Sequence, residues 1–417
     1  MIEININGLS ELIMINSGDT AFVMICTALV CMMTPALALF YGGMVREKNT
    51  TTILMQNFIC MGVVGLLWVF GGFSLVFGHD IGGVVGNITQ YFGLSHIGAK
   101  VHPQAPHIPF MLFFAYQMMF AVITPALMTG AFACRFRFGP YLKFLVLWTI
   151  LVYFPVAHWI WGGGFLAKLG VVDFAGGIVI HTTAGFGAIV CAVFLGHRKL
   201  QPGENEKPTN IPMIAMATGL LWFGWFGFNA GGTYAANTQS SYAFLNTFLA
   251  GAIAMLVWIF WETRGGKKPN FTGSLVGAVA GLATITPAAG YVDPAAALVI
   301  GALGATACFF AKHIQHYFKF DDALEVFRAH GVGGMVGALL IGVFANAAVG
   351  GIHAGIHQFL VQLLAIVIVA IYTVVITWVI LKFLNSCSPI RVSEQEEMVG
   401  LDLVEHDEPA YQRTLYK

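Results

Sequence analysis

DFAGGIVIH (173–181) and DALEVFRAH (322–330) share one frame: an aspartate eight residues ahead of a histidine, with Gly185 and Gly334 each four residues beyond the histidine. A frame repeated in this way inside apolar sequence points to a pore with paired histidines at its centre. Eight residues at the helical rise of about 1.5 Å put each histidine about 12 Å from its aspartate, near the midplane of a hydrocarbon layer about 30 Å thick. Ionisable side chains at that depth are functional candidates by default.

The surrounding composition agrees. The 417 residues are 58% hydrophobic and 10% charged, with 49 glycines and a mean hydropathy of +0.78. That balance is foreign to soluble globular domains and marks a polytopic membrane protein. The seven cysteines form no C-x-x-C pair and lie mostly inside apolar runs, which reads as small buried thiols rather than a disulfide framework or a metal site. Acidic residues and no basic n-region open the chain, so its start does not read as a cleaved signal peptide.

Apolar stretches long enough to cross a bilayer fall at about 20–43, 51–78, 109–133, 141–161, 176–196, 211–231, 242–262, 271–289, 294–311, 329–348 and 357–384. The fold class is therefore all-α, with eleven transmembrane helices. Arg46 and Lys48, Arg135 and Arg137, Arg198 with Lys199 and Lys207, Arg264 with Lys267 and Lys268, and Lys312 with Lys319 occupy alternate loops. The positive-inside rule makes those loops cytoplasmic, with the N-terminus outside and the tail inside. Three parts follow: an outer N-terminal segment at 1–18, a membrane domain at 19–387 and a cytoplasmic tail at 388–417.

Ile123-Thr124-Pro125-Ala126 in span three recurs as Ile285-Thr286-Pro287-Ala288 in span eight, and spans five and ten carry the aspartate-histidine frames. Five spans per unit is an odd number, so the two units are inverted about an axis in the membrane plane, and the eleventh span packs outside them. Asp173 then belongs to the outer face and Asp322 to the inner one.

For Asp173, the bland reading is a helix cap, since it stands just ahead of a helix start; a contribution to an outer cation site would come on top. Asp322 caps or organises the inner end of span ten. A neutral imidazole donates on one nitrogen and accepts on the other, so two in contact can pass a proton or line a path for a small hydrogen-bonding solute. Rings of carbonyls or carboxylates would be wanted to replace the hydration shell of a metal cation. Phe120, Trp161, Trp225 and Phe228 can hold a small cation at such a mouth, although a tryptophan at a span end is commonly an interfacial anchor. His79, His96, His102 and His107 in the long outer loop lack metal-ligand spacing, and no Walker or dinucleotide motif is present, so no metal, cofactor or nucleic acid is implied.

Taken in order, TPALALFYGGMVREKN (34–49), YFPVAHWIWGGG (153–164), DFAGGIVIH (173–181), GWFGFNAGG (224–232), ITPAAGYV (285–292) and HGVGG (330–334) resemble the ammonium transporter family that includes the Rh proteins, in its microbial and plant branch. The resemblance implies a homotrimer in the plasma (cell inner) membrane, carrying ammonium or methylammonium, with one hydrophobic path per subunit. His181 and His330 match the family's twin histidines, Phe120 and Phe228 its stacked outer gate, and Trp161 its vestibule tryptophan. Trp225 is placed with that vestibule. Asp173 matches the acid beneath it, and Phe40 with Tyr41 resembles the inner end of the path. Ammonium would be recruited outside and deprotonated at the gate, ammonia would pass the histidines, and the proton would stay out or cross separately. The tail resembles the family's regulatory tail and implies a PII-type signalling partner.

Departures from the family pattern bear on function. Gly232 stands where a vestibule serine is usual, so recruitment leans on Trp161, Phe120, carbonyls or Thr233. Arg328 replaces a glycine and Glu325 an aspartate near the inner end, and His406-Asp407-Glu408 replaces the usual His-Gly-Glu. An ammonium sensor and a neutral-gas channel for ammonia or carbon dioxide are the alternative readings. An enzyme is disfavoured, because no nucleophile and base recur outside the helix frames.

Overall fold

The computed structural model describes residues 14–98, 100–200, 207–264 and 266–411. Most of the expected N-terminal segment (1–13) and the last six residues of the tail (412–417) lie outside that range.

Ten described helices are long and apolar enough to span a bilayer. They are α1 (Ser17–Met44), α2 (Glu47–Phe77), α3 (Phe110–Met128), α4 (Phe138–Lys168), α5 (Gly177–Leu195), α6 (Ile211–Thr233), α7 (Thr238–Thr263), α9 (Pro294–Phe318), α10 (Phe327–Phe344) and α11 (Ile356–Cys387). Between α7 and α9 lies the shorter apolar helix α8 (Phe271–Ile285). Span eight was expected to reach 289. It stops at Ile285, and residues 286–290 form turns around Pro287, which has no amide proton to continue the helix. In the repeat-related α3 the helix runs on through Pro125 to Met128.

The two halves pack as inverted units. Helix α1 lies along α6, α3 packs on α1 as α8 does on α6, and α5 crosses α10 at the centre. Glycine makes that crossing possible: a Cβ on Gly185 would lie 2.3 Å from the Gly331 Cα, and one on Gly334 would lie 2.3 Å from the Gly177 carbonyl oxygen. Helix α11 packs across α5 and α10. Its buried Gln362 accepts from the Val172 amide (3.0 Å) and donates to the Val172 carbonyl (2.7 Å), which ties it to the chain just ahead of Asp173.

Two small hairpins in the long α2–α3 loop, β1–β2 (Asp80–Ile81 with Val85–Gly86) and β3–β4 (Val101–His102 with Ala105–Pro109), qualify the all-α description. Within that loop, Asp80 meets His158 Nε2 at 2.9 Å and Lys168 Nζ at 2.5 Å, pinning it to α4. His102 is buried flat against Phe113 at 4.4 Å between ring centroids, a packing role.

On the opposite face the tail is docked. Its helices α12 (Glu394–Val399) and α13 (Leu401–His406) lie under the membrane domain, where the Asp402 carboxylate accepts from the Thr51 amide (3.0 Å), the Thr52 amide (2.8 Å) and the Thr52 hydroxyl (2.9 Å). Glu396 pairs with Arg137 at 2.6 Å and Glu397 with Arg391 at 2.9 Å. Arg135 and Arg198 both bind Asp321, at 3.1 and 2.8 Å. Acids of the tail and of the 320–325 loop thus balance the basic loops.

Candidate functional site

Asp173 organises the site from the loop side. Its Oδ1 accepts from the amides of Gly176 (3.0 Å) and Gly177 (2.7 Å), and its Oδ2 from those of Ile178 (2.7 Å) and Val179 (3.0 Å). These are the otherwise unpaired donors of the first turn of α5, and the carboxylate complements the dipole there. Gly176, at φ 112°, folds the chain back so that all four can converge. The carboxylate is fully committed to capping, and what Asp173 presents to its neighbour is its carbonyl, which accepts from Trp161 Nε1 at 2.8 Å.

The helix that Asp173 caps is not a regular α-helix at first. Gly177–Thr182 and Phe327–Val332 are both π-helical turns, and each carries its histidine. The straight α-helical rise inferred from the eight-residue spacing therefore does not apply. The turns are wider, and Thr182 and Thr183 hydroxyls return to the carbonyls of Gly177 (2.8 Å) and Ile178 (2.9 Å). Asp322 is a weaker counterpart of Asp173: its Oδ2 accepts from the Phe327 amide at 2.8 Å, while its buried Oδ1 has no hydrogen-bond partner among the described residues.

The two repeats bring the histidines together. His181 Nδ1 and His330 Nδ1 are 3.3 Å apart, both rings are buried, and their planes differ by 19°. One Nδ1 must carry a hydrogen and the other accept it. In the neutral pair one Nε2 is consequently a donor and the other an acceptor. His181 Nε2 has no hydrogen-bond partner among the described residues.

Three spaces are strung along the helices. A loop-side cavity of about 430 Å³ is bounded by Trp161, Phe120, Asp173, Gly232, Thr233 and Gln117. A narrow section of about 10 Å³ follows, lined by both histidines, Trp225, Phe228 and aliphatic side chains. A tail-side cavity of about 720 Å³ is bounded by Met44, Ile211, Val276, Glu325 and Arg328 among others. Their order can be read along single helices. On α1, Leu37 lines the narrow section and Met44 the tail-side cavity; on α8 the pair is Val279 and Val276; on α6 the sequence is Ile211, Trp225 and Phe228, then Gly232.

Phe120 and Phe228 stand at the boundary between the first two spaces, 4.5 Å apart, with Trp161 edge-on to Phe120 at 5.9 Å. Trp225 differs from expectation: it lies beyond the phenylalanine pair, 5.7 Å from His181, with its Nε1 donating to Thr286 at 2.8 Å. One helical turn separates it from Phe228, and that turn carries it past the boundary. Phe40 and Tyr41 are buried between Leu37 and Met44, and the Tyr41 hydroxyl donates to the Leu127 carbonyl at 2.9 Å.

Gly232 lines the loop-side cavity with no side chain, and the neighbouring Thr233 hydroxyl is turned to the carbonyls of Ala230 (3.0 Å) and Ala235 (2.7 Å). Residues that the sequence reading did not single out complete the wall: Gln117 donates to Tyr234 at 2.5 Å and leaves its buried Oε1 unpartnered, and Gln104 donates to the Trp161 carbonyl at 2.8 Å. Amides inside apolar runs, as Gln117 and Gln362 are, were the available signal.

Comparison with known proteins is consistent over nearly the whole chain. The sequence profile of the Ammonium Transporter Family matches residues 21–411. An ammonium transporter of Bacillus subtilis (strain 168) is 42% identical over 405 residues, covering 95% of this chain and 99% of that protein. The crystal structure of Saccharomyces cerevisiae Mep2 superposes with a TM-score of 0.86 at 33% identity, over 97% of this chain and 93% of that one. The structure of a sensor Amt protein superposes with a TM-score of 0.87 at 27% identity, over 93% and 98%.

Proposed function

The chain belongs to the ammonium transporter family, a family of multi-pass membrane transport proteins rather than enzymes, and from that membership we propose that it moves ammonium as ammonia through the narrow section, past His181 and His330. Ammonium enters the loop-side cavity from outside and rests against Trp161 and Phe120, where cation–π attraction is worth about 0.5–2 kcal/mol. At the Phe120–Phe228 boundary it gives up one proton, either to solvent water on the loop side or to the acceptor Nε2 of the imidazole pair, and neutral ammonia continues. A bare charge at mid-membrane costs at least about 2.5–3.5 kcal/mol, so the apolar section rejects intact cations, and potassium has no proton to leave behind.

Ammonia donates to the acceptor Nε2 of one imidazole and accepts from the Nε2–H of the other. A proton can cross by the same pair: one enters at the acceptor Nε2, the Nδ1 hydrogen passes to the facing Nδ1, and one leaves from the other Nε2. In this reading Phe120 and Phe228 form the gate, Asp173 holds the α5 turn that aims His181, and Phe40 with Tyr41 flank the inner exit. The tail side is cytoplasmic, the loop side outside, and the membrane is the plasma (cell inner) membrane. Residues 1–18, 19–387 and 388–417 serve as outer segment, transport domain and regulatory tail. The assembly is a homotrimer, and the docked tail is where a PII-type protein would act.

The observation that carries the reading is the 3.3 Å imidazole contact inside a section otherwise lined by apolar and aromatic side chains. The test is an ammonium pulse on proteoliposomes holding the purified protein, recording current and internal pH, with potassium as control. A sustained ammonium-specific current means a proton moves with ammonia. Alkalinisation inside without current means neutral passage of ammonia. Neither signal overturns transport and favours the sensor reading, which the likeness to a sensor Amt protein keeps in view.

A further inference from the structure

Arg328 is the departure with the most structure around it. It is only 7% exposed, it borders the tail-side cavity, and it belongs to the same π-helical turn as His330. Every nitrogen of its guanidinium is engaged. Nε donates to the Cys308 carbonyl at 2.6 Å, Nη2 to the Phe309 carbonyl at 3.3 Å, and Nη1 pairs with the Glu325 carboxylate. Cys308 and Phe309 end the long apolar part of α9, where carbonyls lack helical partners. The guanidinium carbon also stands 4.6 Å over the ring of Trp258.

Trp258 and Glu325 both border the cavity, and together they make a π face and a carboxylate beside the inner end of the path. That is the combination a small organic or ammonium-type cation recognises. Here both are already taken by one tethered cation. On the outer side the situation is opposite: Trp161 and Phe120 border a cavity with no basic side chain among the described residues of its lining.

Resting on the transport reading above, we propose that Arg328 acts as a built-in occupant of an inner cation site, so that cytoplasmic ammonium does not bind at the exit. Outer recruitment and inner release then differ by one residue. Among the described residues the other charges lining the inner cavity are Lys207 and Glu262; Glu262 packs against Gly273 in the first turn of α8, where the helix dipole offsets a carboxylate, and its buried Oε2 has no hydrogen-bond partner among those residues. Lys312 lies over Phe309 at 4.1 Å, the ring that the Arg328 guanidinium carbon also approaches at 5.8 Å.

The test uses the purified full chain and methylammonium chloride as probe. Calorimetric titration compares the wild type with R328G, which carries the family's usual residue, and with R328Q, R328K, R328G/E325Q and E262Q. The expected result is a new site, or affinity raised about tenfold, in R328G and R328Q, absent from R328K and removed again in R328G/E325Q. In proteoliposomes, methylammonium loaded inside should slow ammonium entry through R328G at about tenfold lower concentration than through the wild type. Identical isotherms for wild type, R328G and R328Q overturn the proposal. So does a gain shared by R328K, which would mark loosened packing, or binding governed by E262Q alone. If the wild type carries no ammonium, the transport reading fails, while the calorimetric arm still decides whether Arg328 fills a cation site.

Discussion

Replacing Asp173 with asparagine separates a capping role from a cation-binding one. The carboxylate serves four amides, two on each oxygen. Asparagine keeps one oxygen and turns an NH2 toward the other two amides, leaving two buried donors facing a donor. At about 1–3 kcal/mol for each unsatisfied buried group, the cost is about 2–6 kcal/mol, before any loss of the favourable charge at the helix N-terminus. Because those amides begin the turn that carries His181, the damage should propagate to the imidazole pair. The assay is thermal unfolding of the purified protein in detergent, read beside ammonium flux after reconstitution. D173N should unfold several degrees below the wild type and lose flux. An unchanged midpoint with ammonium affinity lost would refute the reasoning and make the carboxylate a direct ligand.

Other consequences are more local. Removing the Asp402 carboxylate with D402A should cost about 1–2 kcal/mol of capping at the start of α2 and free the tail, seen as faster hydrogen exchange over 394–406; unchanged exchange would mean the other tail contacts suffice. G232S should tighten apparent ammonium affinity by adding a hydroxyl to the loop-side cavity, with the Phe174 carbonyl, 3.1 Å from the added Cβ, giving way by a few tenths of an ångström; equal affinity would mean that aromatic and carbonyl groups already saturate recruitment. Burial pushes the Asp321 carboxyl up, but its bonds to Arg198 and the charge of Arg135 outweigh this and hold it below the ordinary 3.8. A carboxyl lowered on folding stabilises above its unfolded pKa, so the stability gap between wild type and D321N should be constant at neutral pH and close as pH falls below about 3.8; a gap that persists in acid would contradict the ion-pair assignment.

Much of the architecture was legible because bilayer thickness imposes long apolar runs, and alternation of basic loops follows from them. Helix ends were less so: α8 stops at Ile285 because Pro287 ends it, whereas the same motif in α3 is absorbed within the helix. The repeated frame located the histidines, yet their contact depends on Gly185 meeting Gly331, a closeness between residues far apart in the chain. Trp225 lines the narrow section and not the loop-side cavity; three residues from Phe228 is one turn of depth, for which sequence carries no marker. Gln362 and Asp402 have partners roughly 190 and 350 positions away, which no local pattern encodes. Arg328 could be flagged as a departure, but not that Cys308, Phe309 and Trp258 would receive it.

The central claim is that ammonia passes the imidazole pair, and the most direct measurement is ammonium and potassium flux through proteoliposomes holding the wild type or the H181A/H330A double variant, with folding checked by size exclusion. The expected result is that the folded double variant either stops carrying ammonium or loses its discrimination against potassium. Unchanged flux with unchanged selectivity would contradict the claim.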